Sequence, residues 1–489
     1  MTKKIGVIGA GFAGISAACH LANKGYDVFV LEKNSSPGGR ASQLKSNGFT
    51  FDKGPSWYWM PDVFERFFDQ FGKKPSDYYE LERLDPSYRV KFSDGYTDLP
   101  ASMSELEALF ESIEPGASDK LRQFLKQAEY KYEVGINDLV YKPSRSISEF
   151  MDLRLLKGLL KMDVFTSMSK HIRRFFKNEK LIQLLEFPVL FLGSTPENTP
   201  ALYSLMNYAD ISLGTWYPKG GMYSVVDGMV RLAESLGVKF LYNHAVEEFV
   251  YEANSITKII TNQGEHEVNV VVGGADYHHI DSHILKPEFR NYDEKYWESR
   301  TMAPSSLLFY IGVNKKLPNL LHHVLFFDED FKLHADEIYN NPKWPSKPLI
   351  YVSATSKTDE TVAPEGQENL VVLIPVAPGL EDTQETRDQY FELIMDKLET
   401  FTGTNIRDHI VVKESFAHRD FINDYNSFKG NAYGLANTLL QTAILKPSLK
   451  NKKLNNLYFT GQLTVPGPGV PPSIISGEVV SKEISKDLK

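Results

Sequence analysis

Apolar positions along the chain fall into three separated groups, and their spacing predicts pieces of one layered unit. In the first group, residues 3–8 (KKIGVI) read as a short strand. Gly9-Ala10-Gly11-Phe12-Ala13-Gly14 follow, and then an Ala-rich helical stretch runs to Leu21. Gly25 closes that helix, and residues 26–31 (YDVFVL) form a second apolar strand ending at Glu32. The second group lies mid-chain. Residues 238–242, 245–251, 255–262 and 268–272 alternate as closely spaced strands, with turns at Asn243-His244, Asn254 and Gly264. It ends in Gly273-Gly274-Ala275-Asp276, the return to an apolar strand that a discontinuous nucleotide domain needs to complete its sheet. The third group is a strand at 457–460, then Gly461, a proline-rich loop at 465–473, and a helix carrying Ile474, Ile475, Val479, Val480 and Ile484 on one side.

Two further stretches carry a pattern of their own. Leu153, Leu156, Leu160, Val164, Met168, Ile172 and Phe175 recur three or four apart, which predicts one face of a helix or helix pair. Seven lysines and arginines (Arg154, Lys157, Lys161, Lys170, Arg173, Arg174, Lys177) share that segment with a single acid, Asp163. Downstream, residues 187–193 and 203–208 are apolar and aromatic, as the lining of a tunnel or the packing of a core requires.

Composition narrows the classes. The chain has 489 residues, enough for two or three compact units, and a net charge of −9, which argues against a nucleic-acid partner. Its one cysteine, Cys19, excludes an internal disulfide and a cysteine-rich zinc site and fits a reducing, cytoplasmic setting. No charge-free apolar run reaches the ~18 residues needed to cross a bilayer. Within this acidic chain the basic amphipathic stretch at about 153–177 therefore predicts peripheral contact with an anionic lipid surface, against the plainer reading of a lid helix with a solvated face.

The glycine turn carries the chemistry. Gly9 permits the tight turn, Gly11 lets backbone approach a pyrophosphate, and Gly14 lets helix and strand pack closely. The helix start offers N–H groups to the anion, and Glu32 is placed to accept from ribose hydroxyls. This layout fits NAD or FAD equally. Gly38-Gly39-Arg40 and the turn Gly48-Phe49-Thr50-Phe51-Asp52-Lys53-Gly54-Pro55-Ser56 bring more bare backbone close by, with Arg40 suited to a second phosphate or to a plain surface turn. The final helix directs its positive end at whatever lies beside the 465–473 loop, a position suited to negative charge on a reduced isoalloxazine. His278-His279 and His322-His323 lack spaced acidic partners, so no metal site is expected, and no catalytic constellation stands out.

Taken together, Gly9-Gly11-Gly14, Gly38-Gly39-Arg40, Phe51 through Ser56, Trp216-Tyr217-Pro218-Lys219-Gly220-Gly221-Met222 and Pro466-Gly467-Pro468-Gly469-Val470-Pro471 resemble the bacterial phytoene and carotenoid desaturases of the flavin amine-oxidase superfamily, in family order over essentially the whole chain. The resemblance implies an α/β fold: a Rossmann-type FAD-binding domain interleaved with a substrate domain of mixed β-sheet and helical cap. It implies FAD held by Gly9, Gly11, Phe12, Ala13, Gly14, Glu32, Lys33, Gly39 and Arg40, with Val246 on the adenine through its backbone and Asp276 nearby. Gly54, Pro55, Ser56 and Trp57 would approach the isoalloxazine. Gly461, Gln462, Gly469, Val470, Pro471 and Ser473 would close the ribityl and ring end. Two departures stand out: Gln462 replaces an acidic residue found in many relatives, and Ser56-Trp57-Tyr58-Trp59 is bulkier than their threonine-containing version.

The expected domains are 1–70, 220–285 and 450–489 for FAD, and 71–219 and 286–449 for substrate, with a cap near 100–215. The expected function is FAD-dependent desaturation of a carotene (phytoene, or a later intermediate such as γ-carotene or a hydroxycarotenoid, at the 3,4 position). Quinone or oxygen would be the electron acceptor, and the protein would rest peripherally on a membrane. A redox-neutral carotenoid isomerase, a flavin amine oxidase and a non-enzymatic prenyl-binding protein of the GDP-dissociation-inhibitor type remain as alternatives.

Overall fold

A computed structural model describes residues 2–146, 149 and 166–488. Its first layer is a five-stranded parallel sheet with spatial order Leu457–Phe459, Val270–Gly273, Lys4–Ile8, Asp27–Glu32, Lys239–Tyr242. The strands come from chain regions hundreds of residues apart, yet each reads as an apolar run because both faces of the sheet are covered. One face carries the helix Phe12–Ala22, which packs between helix Tyr223–Ser235 and the C-terminal helix Val470–Asp487. The approach to the C-terminal helix is close: a β-carbon at Gly477 would stand 2.6 Å from the carbonyl oxygen of Ala13 and the amide nitrogen of Ala17, and Ser16 Oγ donates to the Ile474 carbonyl at 2.7 Å. The other face is covered by a three-stranded antiparallel sheet, Val246–Glu252, Ser255–Thr261 and Gly264–Glu267, whose Phe249, Ile256 and Ile259 pack on Ile8, Phe29 and Leu31.

A second, seven-stranded sheet has the order Ile410–Phe416, Ser305–Val313, Glu368–Val376, Ile350–Ser353, His323–Phe327, Tyr88–Phe92, Gly95–Leu99. It is antiparallel except between His323–Phe327 and Tyr88–Phe92. All nine residues of Ser305–Val313 are buried, and they alternate between two cores. Leu307, Phe309, Ile311 and Val313 pack with Ile394, Met395 and Leu398 of helix Gln384–Thr402, whereas Leu308 and Tyr310 face the helical layer. That layer includes helices Met103–Ile113, Ala117–Val134 and Glu179–Glu186.

The basic amphipathic stretch divides here. Leu153, Arg154, Leu156, Lys157, Leu160, Lys161, Asp163 and Val164 lie outside the described residues. In the described part, Met168 and Ile172 are fully buried in the helical layer's core, while Lys170, Arg173, Arg174 and Lys177 are exposed. Arg173 pairs with Glu179. The apolar side of this part is thus covered by protein.

Candidate functional site

A cavity of about 670 Å³ opens where the parallel sheet meets the seven-stranded sheet. Both helices that pack on one another in the first layer begin at its wall. Helix Phe12–Ala22 starts after Gly11 and helix Val470–Asp487 after Gly469, and neither start carries a side-chain cap among the described residues; the first leaves the N–H groups of its opening turn for whatever fills the space, the second only that of Val470, since Pro471 and Pro472 have none. Pro471 and Pro472 open the second helix without sacrificing a ladder hydrogen bond, since first-turn amides have no partner in the helix.

The glycines differ in purpose. A β-carbon on Gly11 would meet nothing within 4 Å, so its absence leaves the cavity wall bare. Gly14 does not line the cavity, because a β-carbon there would sit 2.0 Å from the carbonyl oxygen of Gly9; it sets the turn itself. Gly54 is held in the same way, its hypothetical β-carbon 2.1 Å from the Arg40 carbonyl oxygen. The other sequence-predicted residues all reach the wall: Gly9, Phe12, Ala13, Glu32, Lys33, Gly39, Arg40, Pro55, Ser56, Trp57, Val246, Asp276, Gly461, Gln462, Val470, Pro471 and Ser473 join Gly11, Gly54 and Gly469 there.

Glu32 is fixed before any ligand arrives. Its Oε2 accepts from the Ala10 amide and its Oε1 from the Asn34 amide, both at 2.8 Å, and burial raises its carboxyl above the ordinary range against the opposing pull of those amides. Lys33 Nζ instead donates to the Asn423 carbonyl and, at 3.4 Å, to Asn426 Oδ1. Gln462 Nε2 reaches toward Asn431 Oδ1 at 3.5 Å. Arg40 Nη2 donates to Ser427 Oγ at 3.0 Å and to the Asn431 carbonyl at 3.4 Å, with its guanidinium over the Tyr425 ring. Arg40 Nε and Asp276 Oδ2 are buried without hydrogen-bond partners among the described residues. Burial lifts the Asp276 carboxyl to about 6, while the nearby Arg40 charge pulls it down.

These features fit a dinucleotide carrying a diphosphate. Two uncapped helix starts, a bare glycine wall, a carboxylate at the end of the second strand and a partly satisfied guanidinium are complementary to ribose and phosphate groups. The cavity continues past that end into a region lined by Leu202, Tyr203, Met206, Leu308, Leu373 and Tyr433. Of the downstream apolar runs, Pro188, Tyr203, Leu205 and Met206 therefore form cavity wall, whereas Val189 packs as core. Sequence reading missed Tyr351, Tyr425, Tyr433, Asn437 and Thr442 on the same wall. They stand singly, Tyr351 on a strand, Tyr425 at the end of helix His418–Tyr425 and the rest in loops, and only the alternation that points Leu308 and Leu373 inward offered any signal.

The profile of the flavin-containing amine oxidoreductases matches residues 12–485. The chain is 43% identical over 489 residues to a carotenoid 3,4-desaturase of Haloarcula japonica, covering 99% of each chain. It is 33% identical to a ζ-carotene-forming phytoene desaturase of Myxococcus xanthus, covering 99% of this chain and 94% of that one. Among solved structures, an oxidoreductase from Methanosarcina mazei superposes with a TM-score of 0.64 at 15% identity, over 98% of this chain and all of the other, which speaks to the fold. With the parallel sheet, the glycine turn and these matches in place, the chain belongs to the flavin-containing amine oxidoreductases, as a member of their carotenoid desaturase branch with FAD as its cofactor.

Proposed function

We propose that the protein is an FAD-dependent desaturase that introduces carbon–carbon double bonds into a carotene, acting near the 3,4 position of an acyclic end. The single observation that carries this reading is full-length identity of 43% to a carotenoid 3,4-desaturase. Bound FAD supplies a two-electron acceptor for the hydrogen removed. The chain's own residues do the rest: the start of helix Phe12–Ala22 and Arg40 would hold the diphosphate, Glu32 the ribose, Val246 the adenine through its backbone, and the turn Gly54–Trp57 with the loop at 461–473 would flank the ring. Aliphatic and aromatic walls from Leu202, Tyr203, Leu205, Met206, Leu308, Leu373 and Tyr433 orient a hydrocarbon and exclude water. In this reading the cofactor domain comprises 1–70, 220–285 and 450–489 and the substrate domain 71–219 and 286–449. Quinone or oxygen takes the electrons onward.

The reading includes peripheral membrane binding. No described helix is long and apolar enough to cross a membrane. At the cavity wall, Thr438, Thr442 and Ala443 belong to a loop whose Leu440, Ile444 and Leu445 are exposed, Leu440 at 79%. Aliphatic side chains held in the open beside a hydrocarbon-lined cavity suit a bilayer more than water. The deciding experiment incubates purified protein with FAD, liposomes and a panel of carotenes and separates the products by chromatography. Gain of conjugation at one end group is expected. Conversion without added double bonds would mean isomerisation and overturn the proposal.

A further inference from the structure

One polar chain interrupts the apolar part of the cavity. Ser56 and Tyr351 both line the wall, Ser56 on the loop after strand Phe49–Asp52 and Tyr351 on strand Ile350–Ser353. Ser56 Oγ and Tyr351 Oη are 2.8 Å apart, and Tyr351 Oη and His323 Nδ1 are 2.7 Å apart. His323 begins strand His323–Phe327, directly opposite Ser353, and is 1% exposed. Its ring lies 4.0 Å from that of Trp57 and nearly parallel to it, and its Nε2 has no hydrogen-bond partner among the described residues. Two hydroxyls therefore connect the cavity to a buried imidazole in two short steps.

We propose that Ser56, Tyr351 and His323 form a proton relay that accepts the proton released during desaturation. The inference rests on the desaturase reading. One carbon of the substrate gives up a hydride, with its bonding pair, to the oxidised flavin. The neighbouring C–H bond breaks, its pair becomes the new π bond, and its proton passes to Ser56 Oγ. In concert the Ser56 proton moves to Tyr351 Oη and the Tyr351 proton to His323 Nδ1, leaving one imidazolium whose positive charge is balanced by the negative charge the hydride carries to its acceptor. The proton returns along the same chain to water when product leaves.

Physical circumstances favour the arrangement. Loss of hydride leaves a cation spread along the polyene, so the adjacent proton is strongly acidic and a weak base suffices. Burial, reinforced by the adjacent His322, holds His323 well below its ordinary range, so the ring rests neutral with a lone pair available. The Trp57 face steadies the ring once it is charged. A serine placed only to recognise a substrate hydroxyl would not need a path to a base.

The test uses the FAD-loaded protein and three variants. Tyr351→Phe removes the middle hydroxyl and keeps the ring; it should lower kcat by about 100-fold or more with little change in KM. Ser56→Ala should fall with it, whereas Ser56→Thr, which restores a hydroxyl, should recover most of the rate. The wild type should show a solvent deuterium isotope effect that Tyr351→Phe abolishes. Independently of turnover, nitrogen-15 histidine NMR, with His323→Gln for assignment, should find His323 neutral with a bare Nδ1 whose resonance shifts in Tyr351→Phe. A wild type that desaturates carotenes while Tyr351→Phe keeps its kcat, or that changes only KM, overturns the relay and leaves the desaturase reading standing. An Nδ1 that carries the resting proton overturns the relay regardless of activity. A wild type that desaturates no carotene brings down both.

Discussion

Asp276 sits where two forces oppose each other. Burial raises its carboxyl from 3.8 to about 6, and Arg40 only partly offsets the shift. Its folded value therefore lies above its unfolded one, so this residue's contribution to stability is complete below about pH 4 and is lost as pH rises through about 6. Asp276→Asn cannot titrate. In the FAD-free protein it should match the wild type near pH 4 and become the more stable of the two by on the order of 2 to 3 kcal/mol above pH 6. Urea unfolding at three pH values measures this, and a difference that shrinks with rising pH would contradict the sign. Gly14 makes a purely steric prediction. Since its β-carbon would meet the Gly9 carbonyl at 2.0 Å, Gly14→Val should open the turn and abolish FAD retention, read as loss of the yellow absorbance after gel filtration.

The same steric logic governs how elements meet. Gly477 lets the C-terminal helix lie against the first helix, with backbone atoms 2.6 Å from where a β-carbon would be. Gly477→Val should force them apart. An overpacked core contact of this kind costs roughly 1 to 3 kcal/mol, and because both helix starts face the cavity, FAD affinity should drop together with the melting temperature. Isothermal titration with FAD checks the coupling; a variant that loses stability but binds FAD as before would separate packing from the site. This crossing was only half legible in the sequence. The spacing Gly9, Gly11, Gly14 and the acid at Glu32 announce their turn because the constraints are local, whereas nothing near Gly477 reveals that Ala13 lies against it. The seven-stranded sheet was less legible still, since Tyr88–Phe92 finds its parallel partner in His323–Phe327, more than two hundred residues away. His323 and Tyr351 illustrate the limit. One belongs to a histidine doublet without metal-ligand spacing and the other is a lone strand tyrosine, and only strand pairing makes them neighbours.

At the scale of the whole molecule, the cofactor is expected to act as a fastener. The cavity wall draws on residues from Ile8 to Ser473, so a ligand that contacts it from end to end binds the folded state alone. Saturation at 100 times the dissociation constant stabilises by about 2.7 kcal/mol, so stripping FAD should lower the melting temperature by several degrees, with recovery on adding it back. The exposed loop makes a separate prediction. Changing Leu440, Ile444 and Leu445 to serine removes aliphatic side chains worth about 1.5 to 3 kcal/mol each if buried in lipid. That variant should stay with the soluble fraction in liposome flotation while keeping its FAD, and undiminished flotation would place the lipid contact elsewhere.

The hydrogen bond from Ser16 to the carbonyl of Ile474 joins residues 458 positions apart. The strand Leu457–Phe459 likewise adds to a sheet begun by Lys4–Ile8, through Val270–Gly273. During synthesis the turn at residues 9–14 is thus made early and must wait, with one flank of its helix uncovered, until residues 457–487 have left the ribosome. Such late closure is slow and leaves apolar surface open to association. A nascent chain stalled before residue 457 should therefore fail to capture FAD however long it is held, and acquisition of the flavin should follow the emergence of residues 457–487.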